Sequence, residues 1–280
     1  MNRDAVAGYL ELTRPVNSLV AGVLTLIGSF VAGGIVTQPL HAGAAVVATW
    51  LATAAGNAIN DYFDRDVDRI NNPERPIPRG SVEPRGALVF SALLFVVAVG
   101  FVLTLPLIAI GIATINLLGL IAYTEVFKGL PGAGNALVAY LGGSTFLFGA
   151  AAVGAVLDGV VLFVLAALST FSREVIKDVE DVVGDEEEGL STLPIAIGER
   201  NALWVSVVAL VGAVLASPFP YLWNLFGLSY LVLVIPADAI MLWAARRSFS
   251  DPTTGQTWLK YGMFLAASAF IVGRVSLILQ

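Results

Sequence analysis

Long apolar runs separated by short polar breaks account for most of this chain. Nine runs stand out, at about 17–36, 42–60, 86–104, 107–123, 134–153, 156–171, 202–218, 228–243 and 258–277. A helix needs about 20 mostly apolar residues to cross a bilayer, and each run is read as one such helix. The narrowest break, between the third and fourth runs, rests on Pro106 and its neighbours. The pattern predicts an all-α, polytopic membrane protein with nine transmembrane helices.

Composition agrees. Hydrophobic residues make up 57% of the chain and charged ones 13%, against roughly 25% charged in a soluble domain. Mean hydropathy is +0.84. The first run exceeds the roughly 7–15 residues of a signal-peptide core, so it is expected to remain as a membrane helix. With no cysteine, disulfides, thiolate metal sites and cysteine nucleophiles are excluded. The lone histidine, His41, is read as a solvated loop residue. The net charge of −6 gives no support for a nucleic-acid partner. No obligate protein partner is evident.

Charge position adds orientation. Fourteen of the fifteen Lys and Arg fall on alternate connections between the runs, and only Arg274 lies on the other side. The positive-inside rule then places the N-terminus and the polar connections in the cytoplasm and the C-terminus outside the cell membrane.

Two acidic stretches end the second and sixth runs, which point the same way. In Asn57–Asp68, NAINDYFDRDVD, residues Asn60, Asp64 and Asp68 recur every four positions, one face of a helix, with Asn57 and Asp61 flanking them. In Arg173–Asp185, REVIKDVEDVVGD, residues Asp178, Asp181 and Asp185 likewise share a face. Such all-oxygen sets suit hard cations, Mg²⁺ above all, which takes one or two carboxylates plus substrate phosphates. The bland reading is a solvated helix end. It explains the acidic run 185–188, but two acidic stripes on two parallel helices argue against it. Arg75, Arg79, Lys128, Arg173 and Lys177 lie among the acids. Arg75 and Arg79 sit in a proline-rich, stiff loop, NNPERPIPRG. Guanidiniums interleaved with carboxylates point to a diphosphate ligand bound with a divalent ion, the remainder of the ligand being apolar. Gly142 and Gly143 would let helices pack closely or leave a groove, which Phe146, Phe148, Phe163 and Phe171 could line. Tyr123, at the inner end of the fourth run, is read either as an interface tyrosine or as a site residue. Asn116, Asn135 and Asp238 are polar residues inside apolar runs.

These motifs resemble the UbiA superfamily of intramembrane prenyltransferases. The resemblance rests on N-x-x-x-D-x-x-x-D at Asn60–Asp68, the aspartates of Asp178–Asp185, T-R-P-V-N at Thr13–Asn17, R-P-I-P-R-G at Arg75–Gly80, Y-x-x-x-x-K at Tyr123–Lys128 and S-T-L-P at Ser191–Pro194. It spans nearly the whole chain and implies one domain over residues 1–280, with a central cavity capped by cytoplasmic loops. It also implies that Asn60, Asp64, Asp68, Asp181 and Asp185 hold Mg²⁺, with the four aspartates and Tyr123 at the reacting centre. Arg14, Asn17, Asn57, Asp61, Arg75, Arg79, Lys128, Arg173, Lys177 and Asp178 are the expected substrate contacts. ELTRPVNS and SREVIKDVEDVVGD look most like the archaeal ether-lipid branch. That branch moves a geranylgeranyl group from its diphosphate to the free hydroxyl of geranylgeranylglyceryl phosphate. The partners implied are a prenyl diphosphate donor, a lipidic or aromatic acceptor and membrane lipid. Two alternatives were weighed. One is prenylation of an aromatic acceptor in quinone synthesis. The other is a cation transporter, whose acids would sit nearer the bilayer midplane and away from arginines.

Overall fold

The computed structural model describes residues 3–127 and 129–279. Every regular element among them is helical. In chain order they are α1 (Arg3–Leu12), α2 (Pro15–Val31), α3 (Gly34–Thr37), α4 (Pro39–Phe63), α5 (Arg65–Asn71), α6 (Pro84–Val102) and α7 (Leu107–Ala122). After a π-helical turn at Tyr123–Phe127 come α8 (Ala133–Ala152), α9 (Val156–Glu180), α10 (Val182–Glu187), α11 (Leu193–Ile197), α12 (Glu199–Ala216), α13 (Phe219–Leu222), α14 (Leu228–Arg247) and α15 (Pro252–Ile278).

Each of the nine apolar runs is a helix. Seven of these are long and apolar enough to span a bilayer unaided, and the bent pair α1–α2 makes an eighth candidate. The remaining run, α7, has 16 residues, about 24 Å of helix against a hydrocarbon core of about 30 Å. A multi-pass membrane protein follows. The sixth run is underestimated from the sequence. Its helix continues from the apolar segment through Arg173 to Glu180, because nothing in that charged turn breaks a helix. His41 sits in the first turn of α4 and not in a loop.

The packing centres on α8. Gly28 and Gly149 let α2 and α8 touch backbone to backbone: a Cβ at Gly28 would overlap the carbonyl of Phe146, and one at Gly149 the carbonyl of Thr25. Small residues permit this closeness in membrane helices. Ser29 Oγ ties the pair by donating to the Gly149 carbonyl at 2.8 Å. Gly143 packs on α9 in the same way, against the carbonyl of Phe163.

Several short helices lie outside the apolar runs, and α1 is the one that shapes the site. α1 meets α2 at a 42° bend, where Arg14 takes a left-handed conformation (φ 44°). A non-glycine residue holds such a conformation only when its surroundings compel it. They do so here from α4. Asn57 Nδ2 donates to the Thr13 carbonyl at 3.1 Å, and Arg14 Nη2 bonds Asp61 Oδ1 at 2.7 Å. Leu12 then buries with Ala58, Ile77, Val82 and Ala87, and Tyr9 sits edge-on to Phe90 at 5.1 Å. This small core clamps the proline-rich loop against α1 and α4.

Candidate functional site

The two acidic motifs lie at the C-terminal ends of α4 and α9, the second and sixth crossings, and therefore at one membrane face. Neither motif forms the single continuous helical face expected from its spacing. α4 ends at Phe63 and α5 restarts at Arg65, with Asp64 between them; α9 ends at Glu180 and α10 restarts at Val182, with Asp181 between them. At both breaks the i to i−4 bonds persist: Asp68 N to Asp64 O at 2.8 Å, and Asp185 N to Asp181 O at 3.0 Å.

Within the first motif the side chains divide. Asn60 and Asp64 are exposed. Among the described residues nothing pairs with the Asp64 carboxylate. Asp61 and Asp68, by contrast, are buried, with 6% and 5% of their side chains exposed. Arg14 and Arg75 both reach Asp61 Oδ1, at 2.7 and 3.5 Å, and Arg75 bonds Asp68 Oδ2 at 2.6 Å. Asn72 Nδ2 donates to Asp68 Oδ1 at 3.1 Å. The acidic ladder is thus one open acid, Asp64, beside a buried network of two carboxylates and two guanidiniums. Arg75 reaches the network because the clamped loop presents it. Arg79, four residues on, points elsewhere. It pairs with Glu11 on α1 at 2.8 Å, a bond that raises its already high pKa.

Around the second motif the charge is mostly unneutralised. Asp181 is exposed and, among the described residues, unpaired. Asp178 turns sideways, and Asn135 of α8 donates to its Oδ2 at 2.8 Å. This gives Asn135, a polar residue inside an apolar run, a partner. Asp185 is half-buried. Burial pushes its pKa up, the neighbouring Asp181 and Glu188 add to the rise, and the nearby Thr192 and Lys177 oppose it. Tyr123 lies in the π-helical turn, which approaches α8 over Gly134, where a Cβ would overlap the Phe127 carbonyl. Its phenol is held above its usual pKa by burial and then by the charges of Glu174, Asp178 and Asp185. Glu174 belongs to this group and was missed. Its position one turn before Asp178 was the available signal. Arg173 is engaged by Glu174 at 2.8 Å and by Gln256 of α15 at 3.0 Å. Lys177 is exposed beside Asp178 and Asp185. Lys128 lies outside the described residues. Asn17 is exposed on the first turn of α2.

Among the described residues no three acids or histidines converge as a ready-made metal cage. The open donors are one carboxylate at each break, Asp64 and Asp181, together with Asn60. These are the donor types that Mg²⁺ takes, one or two carboxylates with water and phosphate oxygens completing its shell.

Two cavities flank α8. The larger of them, about 920 Å³ of empty space, is lined by Asn60 and Asn57 at one end and lies between α4, α6, α7 and α8. The other, about 740 Å³, lies between α2, α8, α9, α12, α14 and α15. Gly142 and Phe146 face the second cavity, and Phe148 faces the first. Asp238 lines the second, where Ser217 Oγ donates to it at 2.6 Å.

Comparison with known proteins bears on this arrangement. A model of the UbiA prenyltransferase family matches residues 21–268. A digeranylgeranylglyceryl phosphate synthase of Halobacterium salinarum is 63% identical over 268 residues, covering 96% of this chain and 97% of that one. Its counterpart in Methanopyrus kandleri is 43% identical, covering 94% and 97%. The solved structure of a digeranylgeranylglyceryl phosphate synthase superposes with a TM-score of 0.84 at 35% identity, over 97% of this chain and 99% of that one. A UbiA homolog from Archaeoglobus fulgidus bound to GPP and Mg²⁺ shares the fold, with a TM-score of 0.72 at 18% identity over 98% and 100%.

Proposed function

This chain belongs to the UbiA prenyltransferase family, and we propose that within it the chain makes the second ether bond of an archaeal lipid. The donor is geranylgeranyl diphosphate. The acceptor is the free hydroxyl of geranylgeranylglyceryl phosphate. One observation carries the reading: the larger cavity, otherwise mostly apolar, is lined by Asn60, a member of the first acidic motif. A ligand bound there has a diphosphate among carboxylates and cations and a hydrocarbon chain in an apolar cleft. The high-identity relatives named as digeranylgeranylglyceryl phosphate synthases support the choice of acceptor.

Asp64 and Asp181, with Asn60, are the residues that would hold Mg²⁺, and Asp68 and Asp185 stand behind them. When bound, Mg²⁺ neutralises charge developing on the leaving diphosphate. Lys177 adds positive charge to the same leaving group, as a preorganised donor does at a site of developing charge, while Arg14 and Arg75 brace the first motif through Asp61 and Asp68. The bond between C1 of the donor and the diphosphate oxygen breaks, and its electron pair leaves with the diphosphate. The allylic cation that remains is shielded from water by the apolar cavity wall. The acceptor oxygen attacks C1, the new C–O bond forms, and the hydroxyl proton passes to the departing diphosphate. Tyr123 faces the acids with its phenol protonated and acts as a hydrogen-bond donor to the departing diphosphate. In this reading the site and the N-terminus face the cytoplasm and the C-terminus lies outside.

The test is an assay of purified protein in detergent with Mg²⁺ and both substrates, the lipids read by mass spectrometry. A doubly alkylated glyceryl phosphate that disappears with EDTA is expected. Prenylation of an aromatic acid offered in parallel, and not of the glyceryl phosphate, would move the acceptor. Transfer to neither would overturn the reading.

A further inference from the structure

The larger cavity has a definite depth. Along α4 it is lined from Asn60 down to Ala48, twelve residues, or about 18 Å at 1.5 Å per residue. Its deepest lining comes from the far ends of four helices: Ala48 of α4, Val102 of α6, Ala113 of α7 and Phe148 of α8. Immediately beyond lies a packed cluster of Ala45, Leu105, Ala109, Ile112, Ala151 and Ala152, closed by Phe148 itself, which is 5% exposed. The cleft therefore ends on close-packed side chains.

We propose that this end wall, with Phe148 as its largest side chain, sets the length of the isoprenoid that the enzyme accepts. The proposal rests on the prenyl-transfer reading above. A diphosphate held at Asn60, Asp64 and Asp181 fixes where the chain starts, and the Phe148 ring fixes where it stops. The depth of about 18 Å is of the same order as an extended chain of four isoprene units. A chain of three units leaves the bottom unfilled and forfeits contact there. A chain of five units meets a wall that yields only by overpacking. A single methylene changes discrimination in an apolar pocket by about tenfold or more, so a whole isoprene unit is expected to do at least that. The second cavity has no such relation to the acidic motifs. Its lining includes none of their residues, and its polar end is the Asp238–Ser217 pair.

The experiment uses full-length protein in detergent with one acceptor and competing donor diphosphates of three, four, five and six isoprene units. Wild type is expected to prefer four over five by at least about tenfold in kcat/KM. Phe148→Ala, which joins the space of the ring to the cleft, is expected to shift that ratio at least about tenfold toward five. Ala52→Leu, about 12 Å from Asn60 along α4, is expected to shift preference toward three. Phe148→Leu supplies an intermediate shift should the alanine variant fail to fold. Phe270→Ala, in the other cavity, is expected to leave length preference unchanged. Equal loss on every donor in Phe148→Ala and Phe148→Leu overturns the end-wall assignment while prenyl transfer stands. A shift produced by Phe270→Ala overturns it as well, because the chain then occupies the other cavity. No transfer by wild type from any donor overturns the functional reading and the end wall with it.

Discussion

At the inner ends of α4 and α9 the backbone makes the same move twice: a long helix stops on an aspartate, and a short helix carries a second aspartate one turn on. The side chains around these two breaks differ. In the first motif Arg14 and Arg75 have already taken Asp61 and Asp68, leaving Asp64 open. In the second no guanidinium reaches Asp178, Asp181 or Asp185 among the described residues, and Glu174 adds a further acid. One motif is braced by guanidiniums, while in the other the carboxylates are without a guanidinium partner among the described residues. The comparison teaches that equivalent sequence positions here have unequal work. Asp64 and Asp181 are the matched, open pair, whereas Asp68 is part of the frame and Asp185 is not.

The largest effect expected is on turnover. Asp64→Ala and Asp181→Ala are each expected to lower kcat by about 10²–10³-fold or more, with melting temperatures in detergent within about 1 °C of wild type, since both side chains are exposed. Near-normal rates in both would break the pairing of the motifs.

Next comes stability, where the motifs should part. Asp68→Ala strands Arg75 in a partly buried position. Breaking a buried pair costs about 3–5 kcal/mol, and the 31% exposure of Arg75 reduces this to about 2 kcal/mol, or roughly 4–8 °C. Asp185→Ala has no such partner to strand and is expected to leave the melting temperature nearly unchanged. Equal losses would show that the two motifs are braced alike.

The smallest effect is a pH dependence. The Asp185 carboxyl is held above its ordinary value by burial, so between the ordinary carboxylate range and that raised value the folded protein binds more protons than the unfolded one. Metal-free stability therefore declines as pH rises through that window. The change is expected to stay below roughly 2 °C, because Asp185 is only half-buried and solvent screens part of the effect. Mg²⁺ requires the deprotonated form and should reverse the trend. Asp185→Asn should flatten the metal-free curve, and a slope that survives the substitution would assign the proton to another group.

Much of the fold was legible because bilayer-length apolar runs report themselves. α1 was not: ten residues with Asp4, Tyr9 and Glu11 interleaved carry no such signal, and the helix exists because Leu12 and Tyr9 have a core to join. The site's residue types were legible from spacing and from the family resemblance. Their division of labour was not. A four-residue repeat looks the same whether the helix runs on or breaks at Asp64. That Asp68 turns inward depends on Arg75, whose loop is held in place by Ile77 and Val82 packing on α1 and α4. Asn135 was visible as an oddity, but its partner, Asp178, lies 43 residues away.

The packed cluster beneath the larger cavity has a consequence for the cell as well as for the enzyme. A cleft that begins beside the polar residues Asn57 and Asn60 and runs about 18 Å into the helix bundle would be an ion leak if it continued to the far side. Leu105, Ala109, Phe148 and Ala151 interrupt it with a dry layer in which a hydrated proton or sodium ion finds no ligand. The protein can therefore handle a highly charged substrate within the membrane without discharging the electrochemical gradient across it.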